Sequence, residues 1–168
     1  TFFFFFFAAH VSTAKPVGAG LVDALSQAAQ RCGLSVHRGL TYGCVEGPRL
    51  GTQAESHFLR QVGCHLVGMT NVPEVFLARE AQMAYATVGL VTDYDCWLED
   101  PTQHVSVAGI FELYGQTLGK AAQVLDALLS QPLPEADPAS RQALVSAMLT
   151  PDTALTPEQA QWLSVLRR

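Results

Sequence analysis

Residues 83–97 read MAYATVGLVTDYDCW. The apolar, mostly small run 83–91 has the composition of a central strand covered on both faces. It ends in two aspartates, Asp93 and Asp95, set among Thr92, Tyr94 and Trp97. A strand buried on both faces needs strands beside it and helices above and below, and the flanking sequence predicts both. Upstream, 64–69 is a compact apolar run that reads as a buried parallel strand, and Pro73 opens a helix to about Gln82 at a tolerated first-turn position. Earlier still, Ala54, Phe58, Leu59 and Val62 share one face of a helix capped by Gly51 or Thr52 and running through Gln61. Two short β-like runs, 34–37 and 40–45, precede it, the second closed by Gly47-Pro48. Leu21, Ala24, Leu25 and Ala28 mark a helix of about four turns that stops at Gly33. Downstream, the apolar spacing from Val107 to Leu129 predicts a long amphipathic helix, with Gly115 and Gly119 inside it hinting at close packing. Prolines at 132, 134 and 138 mark a surface loop, and two short helices follow, the last with a capping-box start at Thr156-Pro157-Glu158-Gln159. Alternating strands and helices indicate an α/β fold with a mainly parallel central sheet.

The totals narrow the function. The chain has 168 residues, 49% hydrophobic and 15% charged, enough for one sizeable core. Its net charge of −5, with no basic run before Arg167-Arg168, argues against capture of nucleic acid or of an anionic membrane. Four cysteines, Cys32, Cys44, Cys64 and Cys96, are far apart and without metal-ligand spacing. They read as reduced, mostly buried thiols of a cytoplasmic protein. His10, His37, His57, His65 and His104 show no mutual spacing that would suit a metal or a catalytic base. The apolar start, 2–9, is too short to span a bilayer and lacks the basic region of a secretory signal. Its six phenylalanines read as a strand whose neighbours are missing or as a corrupted segment.

In an α/β sheet, ligands bind beyond the carboxyl ends of the strands. Three segments end apolar runs in polar turns and should open at one rim: GCVEGPRLGTQAES, VGMTNVPE and VTDYDCW. Asp93 and Asp95 admit two readings. They are turn caps, or, as i and i+2 neighbours on one face of an extended chain, an acid pair in which like charges raise one carboxyl pKa. Glu46 and Arg49 flank the Gly-Pro turn as a local ion pair. Met69 reads as core, and Thr70 and Thr92 as turn residues.

The three motifs EGPRLGTQAES, GMTNVPEVFLARE and YATVGLVTDYDCW occur in the order found in the trimeric purine nucleoside phosphorylase family, and TDYDCW resembles its 5′-methylthioadenosine phosphorylase branch. The likeness runs from about His10 to Leu129. It implies a mixed central sheet flanked by helices, in one domain over 1–168 with 131–168 as its helical tail. It also implies phosphate-dependent cleavage of 5′-methylthioadenosine to adenine and 5-methylthioribose 1-phosphate in purine salvage, in a cytoplasmic homotrimer. Inorganic phosphate is the co-substrate, and no metal or other cofactor is implied. The chemistry must stabilise a positive sugar and a negative leaving purine, and it needs no covalent nucleophile.

By the same resemblance, Asp93 faces the purine N7 and 6-amino group, donating a proton to N7, and Asp95 supports it through water. Val45 lines the base, Met69 lies under the ribose, and Thr70 contacts phosphate or sugar oxygen, with Thr92 also at the substrate. Val107 and Ile110 border the 5′-methylthio slot, and His10 reaches the same slot of a neighbouring subunit. Gly51 stands where 6-oxopurine members carry a Glu, and Asp93 where they carry an Asn, so both favour adenine. Leu50 replaces the usual Phe against the purine, removing an aromatic face. The N-terminal part of the family fold, with most of the phosphate ligands, has no counterpart in this sequence. The alternatives are a purine nucleoside or 5′-methylthioinosine phosphorylase, or an inert fragment that binds purine or pairs with subunits.

Overall fold

The structure is a computed structural model that describes residues 2–4, 7–100 and 106–167, the side chains of 2–4 and 107 excepted. Its elements run in the order β1 (Phe2–Phe4), β2 (Phe7–Ala9), α1 (Ala19–Arg31), β3 (Tyr42–Cys44), α2 (Gln53–Gln61), β4 (Leu66–Gly68), α3 (Glu74–Glu80), α4 (Val107–Leu129), α5 (Pro138–Arg141) and α6 (Pro157–Leu166), with a 3-10 turn at Asp152–Ala154 before α6. The α/β class is as expected. The sheets among the described residues are small: β1 and β2 form an antiparallel hairpin, and β3 and β4 a parallel pair with Tyr42 opposite Leu66 and Cys44 opposite Gly68.

The chain divides into two compact units, each described by itself. One holds Thr1–Ala24, Pro73–Thr87 and Leu133–Arg168 and the other Leu25–Val72 and Val88–Pro132. In the first, Ala9, Val75, Leu144, Ala147 and Leu163 are buried. The hairpin strand β2 is stitched to the C-terminal segment, His10 N–H donating to the Ala147 carbonyl at 2.7 Å and Leu149 N–H to Ala8 at 2.9 Å. A buried polar chain links α3 to α5: Arg79 donates to Ser140 Oγ at 3.0 Å, and Ser140 in turn to Asp137 at 2.9 Å. Burial acts upward on the Asp137 carboxyl, but the Ser140 hydrogen bonds and the Arg79 charge hold it below its ordinary range. Thr156 and Gln159 make the reciprocal capping box expected at the start of α6.

In the second unit β3, α2 and β4 make a β-α-β crossover, the connection a parallel pair requires. Ala28, Ala29, Val124 and Leu128 are buried, and α1 is tied to α4 by Arg31, whose guanidinium donates to the Ala127 carbonyl at 2.9 Å. That carbonyl lies in the last turn of α4, where a cation is favoured by the helix dipole. Gly68 is required by packing: a Cβ there would collide with the Tyr42 hydroxyl.

Several expectations are corrected. The run 83–91 forms no strand. Its apolar composition suits a strand, but a strand exists only through a neighbour's N–H and C=O groups, and no described element pairs with it. The Tyr85 carbonyl instead accepts from Gly18 N–H at 2.8 Å, and Met83 N–H returns to Ala78 at 2.9 Å. Met83, Val88 and Val91 are exposed. Residues 34–37 are likewise irregular, and the strand expected over 64–69 is shorter, with Val67 exposed. The four cysteines are free but half-buried. No described helix is long and apolar enough to cross a membrane.

Candidate active site

The β3–β4 pair brings two of the three polar segments together. Val45 N–H donates to the Gly68 carbonyl at 2.9 Å, and Val72 N–H to Cys44 Sγ at 3.3 Å, so both chains leave the sheet at the same end. Beyond it, Met69 packs on the Gly47-Pro48 turn so closely that a Cβ at Gly47 would sit 2.9 Å from its sulfur. The 88–91 segment reaches the same pair, Gly89 lying beside Leu66.

From the turn, the chain passes through Arg49 to α2. Arg49 pairs with Glu55, at 2.5 and 2.9 Å, where the sequence suggested Glu46. Glu55 is six residues beyond Arg49, but the first turn of α2 folds it back. It accepts from the Thr52 N–H at 2.7 Å while the Thr52 hydroxyl receives the Glu55 N–H, a capping box. The Arg49 fork is the leading cause that lowers the Glu55 carboxyl to about 2, with the two Thr52 donors adding to it. Glu55 raises Arg49 in return, chiefly through their hydrogen bond.

The TDYDCW turn is bound to this helix. Ser56, on the first turn of α2 and only 3% exposed, donates its hydroxyl to Asp95 Oδ2 at 2.6 Å. Cys96 Sγ faces the Gly51 carbonyl at 3.7 Å. Burial, reinforced by the charge of Asp95, pushes the Cys96 thiol up, so it stays a neutral donor at that carbonyl. Trp97 lies under Arg60 from the same helix, 3.5 Å from guanidinium to ring centroid, and meets Tyr94 edge-on at 6.4 Å.

Within the turn the aspartates do not stand side by side on an extended strand. Asp95 has φ +60°, in the left-handed region that Asp tolerates better than most residues. Asp93 Oδ1 accepts from Asp95 N–H at 2.8 Å, and Asp93 Oδ2 from the Thr92 hydroxyl at 2.8 Å. Asp93 therefore closes an Asx turn and presents its carboxylate at the exposed surface, while Asp95 turns toward α2. The capping reading describes the local geometry, and the same geometry leaves two carboxylates in fixed, different settings.

The other expected residues divide. Val45, Gly51, Met69, Thr92, Asp93 and Asp95 come together through the contacts above. Leu50 projects into solvent, 84% exposed. Thr70 is exposed at the start of the turn after β4, and Ile110 is half-buried on α4. The Val107 side chain and His104 lie outside the described residues. His10 belongs to the other unit, exposed at the end of β2. Ser56, Glu55 and Cys96 were missed as site residues. Thr52-x-x-Glu55 carried a capping-box pattern that could have found Glu55, whereas a lone Ser within a helix carries no signal. Among the described residues no cluster of His, Cys, Asp and Glu could hold a metal. An apolar cavity of about 400 Å³, lined by Phe7, Leu144, Trp162 and Leu166, lies in the first unit. It lacks the converging polar groups that fix a substrate, so the rim of β3 and β4 is the better candidate.

The parallel pair, with the EGP turn, the capped helix and the two aspartates at its rim, is an α/β arrangement in which three separate segments meet. The Phosphorylase superfamily model matches residues 1–133, and the chain belongs to that superfamily. Its relatives are more particular. It is 42% identical over 164 residues to the S-methyl-5′-thioadenosine phosphorylase of Rhodospirillum rubrum, covering 94% of this chain and 54% of that protein. It is 39% identical to the S-methyl-5′-thioadenosine phosphorylase of Geobacter sulfurreducens, covering 94% and 55%. A methylthioadenosine phosphorylase crystal structure from an Antarctic soil metagenomic library superposes with a TM-score of 0.85 at 37% identity, covering 98% of this chain and 58% of the other. The Schistosoma mansoni methylthioadenosine phosphorylase in complex with adenine gives 0.74 at 26% identity, covering 85% and 57%. The chain thus spans about half the length of the curated relatives it matches.

Proposed function

We propose that the protein this chain represents is a phosphate-dependent 5′-methylthioadenosine phosphorylase, a pentosyltransferase, and that the rim of β3 and β4 is its purine end. The observation that carries this reading is the joining of the EGPRLGTQAES and TDYDCW segments through Ser56–Asp95 and Cys96–Gly51. It gains weight from relatives bearing that name and from the relative crystallised with adenine.

As the glycosidic bond breaks, electrons flow to the purine and N7 becomes basic. Asp93, at the surface of its turn, is the group that delivers a proton there, and the carboxylate it becomes accepts from the 6-amino group. For Asp93 to carry that proton on Oδ2, the Thr92 hydroxyl must turn from donor to acceptor, a rotation a hydroxyl makes freely. Asp95, held at α2, supports the amine side. Val45 and Met69 flank base and ribose, and Gly51 leaves room beside the 6-position. Thr70 serves phosphate or sugar oxygen, and Ile110 with Val107 the methylthio group. His10 reaches the slot of a neighbouring subunit. Phosphate is the second substrate and no other cofactor takes part. The assembly is a cytoplasmic homotrimer working in purine salvage, and 1–168 is one phosphorylase-like domain with 131–168 as its helical tail.

The experiment is to supply the protein with 5′-methylthioadenosine and phosphate and follow adenine release. Phosphate-dependent release is expected, faster than hypoxanthine release from 5′-methylthioinosine. Release without phosphate, or an equal rate on the 6-oxo substrate, would overturn the reading.

A further inference from the structure

Asp95 holds a left-handed backbone, a sparsely populated conformation that its surroundings here maintain. Two hydrogen bonds do so: its own N–H to Asp93, and the Ser56 hydroxyl to its carboxylate at 2.6 Å. Ser56 is almost fully buried, so its hydroxyl has no water to donate to instead. It is also stationary. Its N–H is tied to the Thr52 carbonyl at 3.0 Å, and the turn it sits on is capped by Thr52 and clasped by Arg49 and Glu55.

We propose that Ser56 is the positioning residue that sets the choice between 6-amino and 6-oxo purines, acting through Asp95. This deepens the purine-site reading above and rests on it. A hydroxyl donating to Asp95 Oδ2 keeps that oxygen an acceptor. An acceptor fixed on the amine side of the base attracts an N–H donor and repels a carbonyl oxygen, which lowers affinity for the 6-oxo base more than it raises affinity for adenine. Without the hydroxyl, the Asp95 carboxylate is free to rotate away from the amine side of the base, and the discrimination collapses. Cys96 faces the same carboxylate but, as a neutral thiol, is too weak a donor to replace Ser56.

The test is equilibrium binding of adenine and of hypoxanthine to the chain and to S56A, S56C, D95N and S56A/D95N. In S56A the adenine-over-hypoxanthine ratio is expected to fall about tenfold, the scale of one hydrogen bond to a charged group. S56C preserves the side-chain volume while removing the strong donor, so it should lose the ratio too, and it carries the test if S56A does not fold. In the D95N background, S56A should change the ratio no further. Equal weakening of both bases by S56C, or an effect of S56A that persists in D95N, overturns the positioning role. A ratio lost in D95N and intact in S56C refutes Ser56 while leaving the purine site standing. A parent chain with no preference between the bases, unaltered by D95N, sinks the purine-site reading and this inference with it.

Discussion

Among the described residues, two non-glycine residues hold a left-handed backbone, Gln82 at φ 56° and Asp95 at φ 60°, one in each unit. Gln82 follows α3 and Asp95 follows the irregular run 83–91, and both bear a polar side chain. Their side chains are used differently. Gln82 is buried and commits both ends of its amide to backbone groups, its oxygen accepting from Leu144 N–H at 3.0 Å and its nitrogen donating to the Leu166 carbonyl. Asp95 is half-buried, and one carboxylate oxygen is fixed by a side chain on a capped helix. Strain at Gln82 is compensated by hydrogen bonds that close the chain on itself, so its product is stability. At Asp95 the same backbone aims a charged side chain at α2, in the setting proposed for the purine end. A left-handed residue in a sequence therefore tells where the backbone is held, and only the partners of its side chain tell why.

Replacing each by glycine separates the two roles. Glycine removes the backbone strain at either position. In Gln82→Gly it also strands the buried Leu144 N–H and the Leu166 carbonyl, and the expected net loss in denaturant unfolding is about 3 kcal/mol, with adenine affinity unchanged. Asp95→Gly should leave the unfolding midpoint within about 1 kcal/mol of the parent, because the relieved strain offsets the lost Ser56 bond, while adenine binding weakens. A stable Gln82→Gly, or an Asp95→Gly that unfolds like it, would erase the distinction. Asp93→Asn sharpens it further. The amide still accepts the Asp95 N–H and so keeps the turn, but on the proposed reading of the site its NH₂ would meet the purine amine as a second donor. Calorimetric titration should show adenine binding weakened by roughly tenfold to a hundredfold and hypoxanthine binding improved.

The helices were legible because each carried its own signals. The capping boxes at Thr52 and Thr156 and the long apolar stripe of α4 lie within single segments and need no information from elsewhere. The run 83–91 was misread for the opposite reason. Apolarity says that a segment can be buried, but a strand is a relation between two segments, and the partner of 83–91 is not written in its own residues. The site shows the same division. Asp93 and Asp95 stood out as paired charges after an apolar run, and the Asx turn that separates them depends on one backbone angle that spacing does not encode. Arg49 was assigned to Glu46 by proximity in sequence, whereas the first turn of α2 brings Glu55 to it. Ser56 was invisible because a buried serine on a helix looks like any small residue until its acceptor is located.

The capping boxes offer the gentlest probe of the comparison, because the two units carry the same motif with different chemistry. At α6 the reciprocal acceptor is the neutral Gln159, and at α2 it is the ionisable Glu55 held by Arg49. Glu55 has its folded pKa lowered from 4.5 to about 2. A carboxylate lowered in this way contributes stability that is fully present above its ordinary value and is lost as the pH falls through about 2. Acid should therefore loosen the start of α2, and with it the setting of Ser56, while the Thr156 box stays indifferent. The pair is solvent-exposed, so the contribution is small and weakens with salt. Amide NMR shifts of Thr52 and Thr156 followed from pH 6 downward should show a titration at Thr52 alone. In Arg49→Ala the leading cause of the lowered value is gone, so the Thr52 titration should move up toward the ordinary carboxylate range, its direction unchanged. A Thr156 shift that tracks Thr52, or a midpoint unmoved by Arg49→Ala, would mean that the Arg49 fork does not hold the frame on which Asp95 is aimed.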